Sequence, residues 1–277
     1  MNKKYFGERT GAIKQGKFDL EMLKKLFLNL YEKLDNECFF QEATGYCCTD
    51  GNVKGTLGRE IESEIYLKTG LEDVWPIRIH IEEYGEVELL TMVEFLHENV
   101  SSPKDKYYHD WNNCGWHATK FDKEEGQAIY LAEINKLLVR FEEDYYLTET
   151  GEIHKVPPAG LKALVEEKIT TGDTENIDDR VQYAVSKFLK YDSDINEKKD
   201  AINTLAGILE YYKTQGIKFE RKDDSDLFNI MNGFDIRHHN KAQQSNYNKE
   251  VWYEWIFYTS LSSINTLAKL QKDSFKF

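Results

Sequence analysis

From Ile177 to the end, this chain carries one kind of apolar pattern, and that pattern is helical. The segment IDDRVQYAVSKFLKY places Val181, Ala184, Val185, Phe188 and Leu189 on one face. The next, DINEKKDAINTLAGILEYYK, does the same with Ile195, Ile202, Leu205, Leu209 and Tyr212. A third, DLFNIMNGF, follows Ser225, a good N-cap, and the last, NKEVWYEWIFYTSLSSINTLAKLQK, is long and broadly apolar. Apolar residues three and four apart stack along one side of a helix, so each segment has a side to bury. Four such segments with short connections predict a helix bundle.

Upstream the pattern is mixed. Helices are expected at FDLEMLKKLFLNLYEKL, GREIESEIYLKTG, VELLTMVEFLHENV and KEEGQAIYLAEINKLLVRF. The glycine-rich GYCCTDGNVKGTLG reads as an exposed hairpin or loop, and DYYLTETGEIHKV as a hairpin turning at Thr150-Gly151. WPIRIHIEEYG, with Ile77, Ile79 and Ile81 alternating, reads as a strand. Residues 103–121 are dense in aromatics and turn formers and predict a packed irregular segment ending in a short strand. Tyr107, Tyr108, Trp111 and Trp116 are expected there as core rings, with base stacking as the other reading. The prolines of KVPPAG and the polar TTGDTEN predict a domain boundary between 157 and 177. The expected architecture is an α+β domain at 1–160 followed by an all-α bundle at 175–277.

Composition narrows the function classes. A formal net charge of −13 opposes long-range attraction to a phosphate backbone. Any nucleic-acid site must therefore be local. The first twenty residues lack the apolar run of a secretory signal, and no uninterrupted apolar stretch is long enough to span a bilayer. A cytoplasmic protein with reduced thiols and no membrane partner is expected. No phosphate-binding G-x-x-x-x-G-K-[ST] loop and no G-x-S-x-G elbow occur.

The four cysteines, Cys38, Cys47, Cys48 and Cys114, form no C-x-x-C pair. Cys114-x-x-His117 has metal-like spacing, and Cys47, Cys48 and His109 could complete a tetrahedral zinc set. The neighbouring Trp111 and Trp116 argue for packing instead. No metal ligand is assigned on this basis, and no cofactor is expected.

The chemistry-bearing stretch is FNIMNGFDIRHHNK. At about 100° per residue, Leu227, Ile230, Met231 and Phe234 form one stripe. The same register puts His238 near its centre, Arg237 on its flank and His239 away from it. Lys241 returns to the stripe if the helix continues.

A helical hairpin, a third helix ending in Arg plus a polar residue, a short polar loop and a long final helix together resemble the HEPN family. The likeness covers residues 177–277. HEPN bundles have four or five helices, and many are metal-independent ribonucleases. Their signature is an Arg, often then Asn, Asp or His, then a His four to six positions after the Arg. Arg237 and His238 match the first two elements. Positions 241–243 are Lys, Ala and Gln, so the downstream histidine is absent. Either His238 or His239 takes its role, or this copy is catalytically altered.

A mixed domain ahead of such a bundle resembles AbiJ-type abortive-infection proteins, as do the segments CGWHATKFDKEEGQ and EINKLLVRFEEDYYLTETGEI. The resemblance implies a phage-defence effector that cuts RNA, tRNA or mRNA. In it Arg237 would clamp the phosphate, with His238, then His239, as candidate base. Asn240 and Lys241 would assist in RNA binding. It also implies a homodimer through the bundle, and an inhibitory or phage-derived trigger partner. A sensing or RNA-selecting role for the first domain follows from domain order alone. The alternative is a non-catalytic binding or regulatory protein of the same shape.

Overall fold

The computed structural model describes residues 5–12, 16–48, 51–111, 114–217, 219, 228–229, 234 and 247–274. The chain divides into two compact units, Met1–His154 and Lys155–Phe277.

After a short helical turn, α1 (Phe6–Arg9), the first unit is built on α2 (Leu20–Asn36). The Asp19 carboxylate accepts from the Met22 backbone N–H and caps this helix. Its Leu23, Phe27, Leu30, Tyr31 and Leu34 are buried at three- and four-residue spacing. Next come α3 (Gln41–Thr44) and an antiparallel hairpin of β1 (Gly45–Cys48) with β2 (Gly51–Lys54). Then follow α4 (Ile61–Thr69), the short α5 (Ile77–His80) and α6 (Glu86–Asn99).

The run over Ile77, Ile79 and Ile81 is not a strand. It forms α5 and a following 3-10 turn, Ile81–Glu83. Ile77 and Ile81, four apart, are buried, whereas Ile79 is exposed. Three isoleucines at every second position satisfy both periodicities when only the outer two need cover. Pro76, at φ −67° and extended in ψ, is the N-cap residue just before the helix.

Where an irregular segment is expected, β3 (Ser102–His109) and β4 (Gly115–Asp122) pair as an antiparallel ladder, with register shifts between Pro103 and Lys106. It leads into α7 (Lys123–Leu138), capped by Asp122 through the Glu125 N–H. A last small hairpin joins β5 (Tyr145–Leu147) to β6 (Ile153–Lys155). The core of this unit lies where α7 meets α2 and α6. Tyr130, Ile134 and Leu138 of α7 are buried there, as are Leu89 and Val93 of α6. The buried Tyr130 hydroxyl donates to the Val93 carbonyl at 3.1 Å. Gly126 sits where α7 crosses the backbone of Ser101 and Ser102, too close for any side chain.

Two side-chain amides close the open edges of these hairpins. Gln41 donates to the Trp116 carbonyl and accepts from the Ala118 N–H, both at 2.9 Å. Asn135 donates to the Leu147 carbonyl at 2.9 Å and accepts from its N–H at 2.7 Å.

The second unit is helical. After α8 (Lys162–Glu166) and a π-helical turn (Thr174–Asp178) come α9 (Asp179–Leu189), α10 (Ile195–Thr214) and α11 (Lys249–Ser274). Asp194 begins α10 with a reciprocal capping box to Glu197. The core unites Val181, Ala184 and Phe188 of α9, Ile202, Leu205 and Leu209 of α10, and Phe257, Leu261 and Ile264 of α11. Phe188 and Phe257 stack face to face at 3.9 Å. Phe228 and Asn229 are helical, but most of the expected third helix lies outside the described residues. Among the described residues, no helix is long and apolar enough to cross a membrane.

Candidate functional site

Arg237, His238, His239, Asn240 and Lys241 lie outside the described residues. What is described is how the chain is held on either side of them. Phe234 stacks on Trp252 of α11 at 4.7 Å and meets Tyr247 edge-on at 5.1 Å. The Tyr247 hydroxyl donates to the Phe234 carbonyl. Phe228, Phe234 and Tyr247 all lie against the bundle core. The chain is thus fastened three residues before Arg237 and six residues after Lys241.

The last helix is divided along its length. Phe257 and Ile264 are fully buried within the bundle. Near its start, Trp252 and Trp255 remain 39% and 45% exposed and meet edge-to-face at 5.6 Å. Val251 beside them is exposed as well.

The first unit brings together a second set of reactive side chains. Successive residues of a strand point to opposite faces. Tyr46 and Cys48 therefore share one face of β1, and Tyr107 and His109 share one face of β3. His117 on β4 stands opposite Tyr107 in the hairpin register. These two faces meet: the rings of Tyr46 and His117 stack at 4.1 Å, and the Tyr46 and Tyr107 hydroxyls lie 3.5 Å apart.

Cys48 Sγ is 3.2 Å from His109 Nδ1, and Cys114 Sγ is 3.0 Å from His117 Nε2. All four of these donor groups lie within 4.8 Å of one another. Gly115, at φ +94°, makes the turn between Cys114 and His117 that a side-chain-bearing residue rarely adopts. His117 is buried, and its Nδ1 finds no hydrogen-bond partner among the described residues. Burial, with His109 nearby, holds its imidazole below the usual histidine range. Cys47 is not part of this set. Alternation turns it outward, where its thiol lies 2.8 Å from Asn52 Oδ1.

The four rings expected as core are on the surface. Tyr107, Tyr108, Trp111 and Trp116 are each 45% exposed or more. Tyr108 and Trp116 meet edge-on at 5.3 Å, and the Lys106 ammonium stands 5.8 Å over Trp116. On β4 only His117, on one face, and Ala118, on the other, are buried, so the rings around them stay in solvent. Periodicity in residues 45–48 and 106–117 holds the signal for this cluster: Tyr-x-Cys on one strand and Tyr-x-His on another. Which two strands face each other is visible only in the fold.

Comparison with protein-family profiles, curated proteins and solved structures finds no match to this chain.

Proposed function

We propose that the protein is a metal-independent endoribonuclease of the abortive-infection type, with Arg237 and His238 at its centre. The observation that carries this reading is the double fastening of the Arg-His segment. Phe234 and Tyr247 seat its two ends on a helical core, next to the start of α11. A segment that must grip a phosphate needs such support, because a loose guanidinium loses orientation and with it transition-state stabilisation.

RNA supplies its own nucleophile, the 2′-hydroxyl. The imidazole of His238, or of His239, takes its proton. The 2′-oxygen bonds to phosphorus as the bond to the 5′-oxygen breaks, and the departing oxygen is protonated. Arg237 neutralises the charge that grows on the phosphate oxygens. Asn240 and Lys241 hold the backbone. The products are a 2′,3′-cyclic phosphate and a 5′-hydroxyl. One segment offers few groups for two proton transfers, so two copies sharing a groove fit the chemistry better than one. The exposed Trp252 and Trp255 beside the anchor suit such a homodimer. The ring surface of β3–β4, with Lys106, suits stacking on unpaired bases. Phage defence in the cytoplasm, under an inhibitory or triggering partner, completes the proposal.

The test is cleavage of total RNA and tRNA by the purified full chain in EDTA, beside Arg237→Ala and His238→Ala. Chelator-resistant cleavage is expected, with cyclic-phosphate ends and a loss of about a hundred-fold or more for Arg237→Ala. Intact RNA across concentration and pH overturns it. A non-catalytic regulator is then the better reading, favoured already by Lys, Ala and Gln at 241–243.

A further inference from the structure

We propose that Cys48, His109, Cys114 and His117 bind one zinc ion that ties the tips of the β1–β2 and β3–β4 hairpins together. The donor chemistry suits that ion: two thiols and two imidazoles form a Cys2His2 set. The geometry is close to what the metal needs. Tetrahedral zinc, with Zn–S of about 2.3 Å and Zn–N of about 2.05 Å, spaces its donors about 3.3–3.8 Å apart. Here the two Cys–His pairs stand at 3.2 and 3.0 Å, and no separation among the four exceeds 4.8 Å. Small side-chain adjustments close the set.

Hydrogen bonding alone gives a weaker account. A Cys–His pair satisfies two atoms and provides no reason for a second pair to turn in on the first. A shared cation does. As thiolates, Cys48 and Cys114 neutralise the dication, while both histidines bind as neutral imidazoles and each thiol gives up its proton to solvent.

The fold also has a need for such a tie. Two-stranded hairpins are marginal by themselves. The β1–β2 hairpin has no buried residue, and all of β2 is exposed. Cys48 is the last residue of β1 on this unburied hairpin. Four protein donors leave no position for a substrate, so the role is structural. The metal would fix β3–β4, the strand pair that carries Lys106, Tyr108 and Trp116. The assignment rests on residues of the first unit alone and is independent of RNA cleavage: Arg237→Ala should keep its zinc.

The test is elemental analysis of the untagged full chain, purified under reducing conditions without added metal. About one zinc per chain is expected for the wild type and for Cys47→Ser. Cys114→Ser and His117→Ala should retain little or none. Because those two variants could lose their fold, a second measurement uses the wild type stripped of metal and titrated with cobalt(II). The visible absorption of tetrahedral thiolate-imidazole cobalt is expected, and zinc should displace it. The assignment is overturned if the wild type carries no zinc and yields no tetrahedral cobalt spectrum. It is overturned equally by stoichiometric iron or copper in place of zinc, or by loss of metal in Cys47→Ser as complete as in Cys114→Ser.

Discussion

The Tyr247 hydroxyl donates a hydrogen bond to the Phe234 carbonyl oxygen at 2.5 Å, joining two residues that bracket the Arg-His segment. Tyr247→Phe keeps the ring and deletes the bond. A hydrogen bond of this kind contributes about 0.5–1.5 kcal/mol, so the melting temperature should fall by only a few degrees. RNA cleavage should fall further than that loss of folded protein explains, chiefly in kcat. Single-turnover cleavage of a defined RNA, measured well below the melting transition, checks this. Unchanged cleavage would show that the tether does not position the segment.

Gly126 should resist replacement by alanine although it lies inside α7. Alanine is favoured over glycine in a helix by about 1 kcal/mol. A Cβ there, however, would stand 2.5 Å from both Ser101 Cα and Ser102 N, which are backbone and cannot swing aside. Overpacking of a tight contact costs about 1–3 kcal/mol and often more against backbone. Gly126→Ala should therefore be destabilised in urea, where a neutral or stabilised variant would argue that α7 and β3 can part.

Phe257 is fully buried and stacked on Phe188 between α9 and α11. Truncation to alanine should cost about 3–5 kcal/mol, enough to leave much of the second unit unfolded at 37 °C. Circular dichroism at 222 nm against temperature reads this directly.

The Asp173 carboxylate gives a pH signature. The Tyr211 hydroxyl donates to it at 2.7 Å, and with the Asn176 N–H groups holds its pKa below the ordinary 3.8. A carboxylate depressed in the folded state adds stability that is fully present above the unfolded value and is lost as pH falls through the folded one. Tyr211→Phe should therefore melt below the wild type at neutral pH. The two curves should converge as pH drops beneath the carboxylate range. A constant gap across pH 2–7 would assign the effect of Tyr211 to packing instead.

Much of this fold was legible because long amphipathic segments leave little choice. Leu23, Phe27, Leu30 and Leu34 can share cover only on a helix, and the same holds for Ile202, Leu205 and Leu209. The short run at Ile77–Ile81 was misread because three residues fit two periods. The β3–β4 hairpin was misread because aromatic content suggested burial, while a two-stranded ribbon leaves Tyr108 and Trp116 in solvent. Cys114-x-x-His117 was visible, but Cys48 lies 66 residues away and only the meeting of two strand faces selects it over Cys47.

Gln41 and Asn135 have a consequence beyond their own hydrogen bonds. Each presents an amide that imitates a passing peptide unit, filling the donor and the acceptor of a strand that has no neighbour on that side. Open strand edges recruit foreign strands, and these two side chains occupy the positions where recruitment would begin. Exchanging either amide for its carboxylate would set an anion against a carbonyl oxygen and free the edge. The gain for the native chain is colloidal: two short ribbons offer a foreign strand no free edge at these positions.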